Sequence, residues 1–324
     1  MCNPRTLTGV DTVMSISRLT LLTLLALPLL ATPPRPRVVI VSGSRPDGQA
    51  TDLWLAILRR RLSPTEYDSV AALRRARSAE EQRWADLVQA RSGDWPQAAA
   101  DLASLFDSTR VDSLRVVLGD RGAEDAFTHD SLTMGMDLAA LQRVYGDAGH
   151  AENGDVLDRL FRHEFVHLLQ KRWLAQHPAV PASPVEAAVL DAWEEGLGNY
   201  YSLSARWRSR DGVPSAAAAK ALDDLAPKFT ARMSALACAD SASAVRLLAG
   251  LSSGPFDQKW GALPVALWLA DEADTQPDAL HRFAKAGPPA VWALAMRHLP
   301  QGLADSLAAA RRRGHSCRPQ SGGA

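Results

Sequence analysis

Cysteine is scarce in this chain: three among 324 residues, at positions 2, 238 and 317. Lysine is scarcer than composition would lead one to expect, with only Lys171, Lys220, Lys228, Lys259 and Lys285; every other basic side chain is Arg. Tyrosine occurs four times and never after Tyr201. Net charge is absent, because 36 basic residues balance 36 acidic ones. Each shortage excludes something. A neutral chain has no overall basic field with which to hold nucleic acid. At this length the core can be large enough to stand without disulfide or metal staples, and about two domains are the prior. A content of 47% apolar and 22% charged residues is that of a folded soluble protein, which rules out disordered, collagen-like and multi-span membrane classes. The excess of Arg over Lys, alongside many Ala, reflects base composition rather than chemistry. No internal repeat of solenoid period is present.

Long hydrophobic runs are also missing, with one exception. Residues 19–31 are Leu, Thr and Ala with a single Pro, preceded by Arg18 and followed by Thr32-Pro33-Pro34-Arg35-Pro36. A positive residue, an apolar stretch of this size and a terminal small residue form the pattern of a secretory signal, and the run falls short of the ~20 residues of a membrane span. The expectation is a signal peptide over 1–31, an exported (secreted or periplasmic) product, and no stable span once the signal is removed. A buried helix or uncleaved anchor is the alternative. Met14 would give a compact start to the same signal. Cleavage after Ala31 leaves Cys238 and Cys317, an even pair that can form one disulfide. Two unrelated thiols fit the spacing equally well. Cys2 precedes the apolar run, so it is not a lipidated cysteine that follows a signal.

Arg37-Val38-Val39-Ile40-Val41 reads as a first strand, closed by Ser42-Gly43-Ser44. Residues 51–107 carry helical spacing, broken at Ser63-Pro64, Ser78 and Gly93-Asp94, and Ser78 with Glu81 has the form of a capping box. Its many Arg alternate with acids and read as a solvated face. Leu114–Leu118, Ala126–Thr128 and 132–138 read as further β segments. Over 156–174 the apolar residues Leu157, Leu160, Phe161, Phe165, Leu168 and Leu169 recur at three- and four-residue steps. Prolines 178, 181 and 184 break the chain before a second helix, read from about Pro184 to Trp207. Helical, Ala- and Leu-rich sequence follows, broken at Gly254-Pro255, Gly287-Pro288-Pro289 and Gly314. The expected fold is α+β and predominantly helical, with a small mixed sheet on a two-helix centre and a helical C-terminal part. The divisions are 1–31, a mainly helical region 32–110, a core 111–214 and a helical region 215–324.

The chemistry lies in His163-Glu164-Phe165-Val166-His167, inside the strongest helical segment. A four-residue step turns about 40° and rises about 6 Å, so both imidazoles leave one face and can reach one metal ion. Glu164 is turned about 100° from His163, beside a metal rather than on it, as suits a base for a metal-activated water. Random order of these residues gives the pattern roughly once in 200 such chains, and its place on an amphipathic helix makes accident rarer still. The competing reading is an ordinary pair of satisfied histidines.

A catalytic zinc site needs a third protein ligand. Downstream, Glu194-Glu195-Gly196-Leu197-Gly198-Asn199-Tyr200 resembles the second-helix motif of the gluzincin metallopeptidases, zinc enzymes of the HExxH…E, peptidase MA-like type. In that family the Glu immediately before Gly is the third ligand, which the resemblance carries over to Glu195. Glu194 as ligand, or an exposed Glu pair, are the alternatives. The loop over 175–184 lets the second helix fold back on the first, and Gly196 and Gly198 let it approach closely. A metzincin pattern is absent, since only His177 follows and no Gly accompanies it. The resemblance covers residues 111–207 and implies a zincin-like core, Zn²⁺ as cofactor, a peptide or protein substrate, and a strand ahead of the metal helix that pairs with substrate backbone. The segment 132–138, with Met134, Gly135 and Met136, holds that place, an ordinary edge strand being the alternative. Gly135-Met136-Asp137 lacks the Glu of the aminopeptidase motif, so no aminopeptidase activity is read.

Departures accompany the resemblance. The family draws its oxyanion donor from a Tyr or His after the third ligand. No Tyr follows Tyr201 here, and His281 and His298 remain. His281 and His298 lie on helical sequence and read as surface or core residues, so the donor is unassigned. Tyr200 reads as packing, Asn199 as a residue one turn on that can hydrogen-bond a ligand His, or as surface. The tryptophans read as core, and Arg311–Arg313 as a solvated tail. The leading expectation is an exported zinc peptidase in which His163, His167 and Glu195 hold the metal and Glu164 moves the proton. A metal-retaining binding or scaffold module, and a zinc hydrolase of non-peptide amides, are the alternatives.

Overall fold

Serine, threonine and aspartate mark the helix starts, and a computed structural model describing residues 35–106, 110–122, 124–208 and 213–316 shows most of them at work. The helices are α1 (Asp52–Arg59), α2 (Pro64–Ala71), α3 (Ala79–Arg91), α4 (Trp95–Ala103), α5 (Leu138–Tyr145), α6 (Asn153–Gln176), α7 (Pro184–Ser202), α8 (Ala216–Leu236), α9 (Ser241–Leu248), α10 (Ala262–Thr275), α11 (Ala279–Ala286), α12 (Ala290–His298) and α13 (Gln301–Ser316). Thr51, Ser63, Ser78, Asp137, Ser183, Ser215 and Asp240 each accept a backbone N–H of the first turn that follows, filling a donor the helix cannot satisfy itself. Ser63 with Glu66 and Ser78 with Glu81 complete reciprocal capping boxes. Among the described residues these thirteen α-helices accompany one four-stranded mixed sheet, so the fold is α+β and predominantly helical.

The strands are β1 (Arg37–Ser42), β2 (Ser113–Gly119), β3 (Ala126–Thr128) and β4 (Thr133–Asp137), in the order β1-β2-β4-β3. β1, β2 and β4 run parallel, and β3 runs antiparallel to β4. Alternation along β2 divides the apolar residues between two faces. Val117 joins Trp54, Ile57, Leu58 and Phe127 in a small cluster under α1, while Val116 and Leu118 join the main core. Two glycines serve this packing. A side chain at Gly119 would run into the Trp54 indole, and one at Gly135 into the Phe127 ring.

On the other face lies α6, whose Phe161 stacks between Trp95 and Phe165. α7 returns alongside it, and its partners settle the direction: residues 193 and 194 meet Gln170, whereas Ser202 meets His163, so the pair is antiparallel. Gly196 lets α7 press on α10, where an added Cβ would strike Val265. α10 is buried through nearly its whole length, and the main apolar cluster runs from Trp84 to Leu307 through all three stretches of sequence that follow residue 32.

Two boundaries differ from expectation. α7 ends at Ser202, not near Trp207, because Leu203 leaves the helical conformation. α13 passes through Gly314, so that glycine breaks nothing. The expected signal segment 1–31 lies outside the described residues. Cys238 is disulfide-bonded; Cys2 and Cys317 also lie outside the described residues. No described helix is long and apolar enough to cross a membrane.

Candidate metal centre

Periodicity alone brings His163 and His167 to one face of α6, and the antiparallel return of α7 brings Glu195 opposite. The two Nε2 atoms are 2.9 Å apart. Glu195 Oε1 is 3.5 Å from His167 Nε2 and Oε2 is 3.9 Å from His163 Nε2. All three ligand atoms fall within 4.8 Å of one another, the one such group of His, Cys and acids found among the described residues. Glu194 is not part of it. Its half-buried carboxyl is held above the usual range by burial and lies within the field of Lys171.

The hydrogen bonds behind the rings decide what the front atoms offer. Gln170 is fully buried and donates its amide to the carbonyls of Trp193 and Glu194, each at 3.2 Å. Its Oε1 therefore faces His167 Nδ1, 3.0 Å away, and that nitrogen must carry the proton. His163 Nδ1 lies 3.0 Å from Ser202 Oγ, a hydroxyl that can accept its proton or donate to it. Burial, then the neighbouring His167 and the Lys259 ammonium, hold His163 well below its ordinary pKa, so its ring is neutral. With the His163 proton on Nδ1 and donated to Ser202, both Nε2 atoms present lone pairs to each other at 2.9 Å; with it on Nε2, His163 donates to His167 Nε2. In the first arrangement a cation between the two nitrogens, closed by the Glu195 carboxylate, takes up both lone pairs. The donor set of two imidazoles and one carboxylate fits zinc and leaves a fourth position open.

Gly198 sets how close the helices come. A Cβ there would stand 3.0 Å from His163 Cε1, 3.1 Å from its Nδ1 and 3.1 Å from His167 Cε1. Beside the pair, Glu164 is 7% exposed. Its Oε1 is 3.9 Å from His163 Nε2, and its Oε2 receives Thr128 Oγ1 at 2.9 Å. Burial raises its pKa, against the opposing effects of His167 and the Thr128 hydrogen bond. A carboxyl whose affinity for a proton is raised, next to a metal position but outside the ligand group, is equipped to take and return protons.

Other expected residues fall elsewhere. Asn199 is buried, but its Nδ2 has no hydrogen-bond partner; Gln170 and Ser202 occupy the ring nitrogens it was expected to serve. Met134, Gly135 and Met136 cannot offer an edge to a substrate, because β4 is paired on both sides, to β2 and to β3. The outermost strand on that side is β3, whose Thr128 touches Glu164 and whose outward carbonyl there accepts Lys171 Nζ. His298 packs on Trp268 and lies 3.3 Å from Glu272 Oε1, so it belongs to another cluster. Tyr200 and Tyr201 pack edge to face. Gln170, Ser202 and Thr128 were missed in the sequence. A lone amide among apolar positions three residues after His167 was the available signal for Gln170, and Ser202, two turns beyond Glu195, carried a weaker one. Thr128, 36 positions from Glu164, carried none.

Comparison of the chain with family models, with curated proteins and with solved structures returns no match in any of the three.

Proposed function

We propose that this chain is a zinc-dependent peptidase of the gluzincin type. The observation that carries the reading is the convergence of two imidazole nitrogens and the Glu195 carboxylate, with the buried Glu164 beside them. His163, His167 and Glu195 would hold the ion. When bound, zinc supplies Lewis acidity that polarises the scissile carbonyl and a water molecule. Glu164 takes the water's proton at Oε1 as the oxygen attacks the carbonyl carbon, and it delivers that proton to the amine nitrogen as the C–N bond breaks. Export through the segment 1–31 forms part of the same proposal, as does the zincin-like assignment of the core.

A second reading is a metal-holding binding module without catalysis, favoured by the lack of any Tyr after Tyr201 to stabilise an oxyanion. One experiment separates the two. Purified, zinc-loaded protein is offered a peptide library beside Glu164→Gln. The peptidase should cleave, and the variant should retain zinc while losing at least about 100-fold in rate, the usual share of a general base. Equal cleavage by both would overturn the role of Glu164, and no cleavage by either would favour the binding module.

A further inference from the structure

A carboxylate that shuttles a proton must keep one oxygen fixed and the other free. Helix geometry alone does not arrange this for Glu164, because a glutamate has three side-chain torsions and its carboxyl can turn about the last of them. The strand beside it supplies the restraint. Thr128 is 7% exposed, and its Oγ1 lies 2.9 Å from Glu164 Oε2 and 2.7 Å from the Glu164 backbone oxygen. The single hydroxyl proton is shared between these two acceptors, so the hydroxyl is in contact with both ends of one residue. Lys171, two turns further along α6, donates its Nζ to the Thr128 carbonyl at 3.1 Å and holds β3 at this height on the helix.

We propose that Thr128 is the positioning residue for the proton-transfer carboxylate: it binds Oε2 and leaves Oε1, the oxygen 3.9 Å from His163 Nε2, as the one that works on substrate. The proposal rests on the peptidase reading for its consequence in catalysis, though not for the contact itself. Thr128 touches neither zinc ligands nor reacting atoms in this arrangement. It acts through Glu164. Its β-branched shape also matters, because a stiff χ1 holds the hydroxyl where the helix needs it.

The test uses the zinc-loaded protein with Thr128→Val, which keeps the shape and removes the hydroxyl, and Thr128→Ser, which keeps the hydroxyl. Four quantities are measured: kcat and KM on a cleaved peptide, zinc affinity by competition with a chromophoric chelator, and the position of the Glu164 carboxyl in crystals of all three proteins. Thr128→Val should lose about 10- to 100-fold in kcat, part of what a well-placed base contributes. Its KM and zinc affinity should stay within about twofold, and Ser should recover most of the rate. In the crystals Glu164 Oε2 should stay on the hydroxyl in wild type and Ser and leave its place in Val. A kcat for Val within twofold of wild type would overturn the proposal. So would loss of zinc in step with activity, or a Ser variant no better than Val. If wild type cleaves nothing, the peptidase reading falls while the crystals still decide whether Thr128 fixes the carboxyl. If Val does not fold, wild-type crystals showing Oε2 away from Thr128 Oγ1 overturn the claim, and Oε2 on Oγ1 with active Ser upholds it.

Discussion

His163 and His167 have ordinary side chains made unusual by what stands behind them. Gln170 is held by two α7 carbonyls, so it can present only its oxygen to His167. Removing it frees the ring to turn and to place its proton on the wrong nitrogen. Gln170→Ala should therefore weaken zinc binding by about 10- to 100-fold, as outer partners of metal-bound histidines do, and chelator competition reads that directly. Gly198 acts through space instead. Its missing Cβ is the gap into which both rings fit, so Gly198→Ala must move rings that are held from behind. The expected cost is about 1–3 kcal/mol of stability with a loss of zinc affinity, seen in paired melts with and without metal. A variant that melts with wild type and binds zinc as tightly would mean the helices part without effect.

At the scale of elements, α6 and α7 were legible because their signals are local. Apolar steps of three and four, a proline-broken loop and two histidines at i and i+4 are all read within a few turns. The sheet was not legible in the same way. β4 precedes the metal helix in sequence, as the substrate strand should, yet β3 folds over to cover its outer side. No local pattern marks which of two short strands ends at an edge, because strand order is decided by what packs above and below. Gly135, read as a feature of a substrate strand, is small because the Phe127 ring lies across it. Asp137 shows the same mixture of local and distant causes. It caps α5 through the N–H of Ala140 and also receives the N–H of Gly122. Burial pushes its carboxyl up to about 7, above the unfolded value of 3.8. The fold thus holds a proton that the unfolded chain has released, so this group's contribution is full below about pH 4 and is lost as pH rises to about 7. Asp137→Asn, which cannot titrate, should cost more stability at pH 5 than at pH 8. Denaturant melts at the two pH values check this, and an equal cost at both would contradict it.

For the molecule as a whole, the candidate centre sits between the sheet and a large helical mass. α7 has α6 on one side and α10 on another, and Trp193 of α7 donates its indole N–H to the Phe283 carbonyl in α11. The C-terminal helices thus back the helix that carries Glu195, which explains why so much chain accompanies so small a site. Holding an ion there should stabilise the native state by linkage. With free zinc at 100 times its dissociation constant the gain is about 2.7 kcal/mol, or on the order of 4 °C in Tm for a chain of this size. Chelation should reverse the shift. Glu195→Gln, which weakens the third ligand, should show a smaller one. The most direct measurement of the central claim is anomalous diffraction at the zinc absorption edge from crystals of the wild-type protein. One strong peak is expected within coordination distance of His163 Nε2, His167 Nε2 and the Glu195 carboxylate, with Glu164 beside it and not bound to it. No peak there in crystals grown with zinc, or a peak coordinated by Glu164 or Glu194 in place of Glu195, would contradict it.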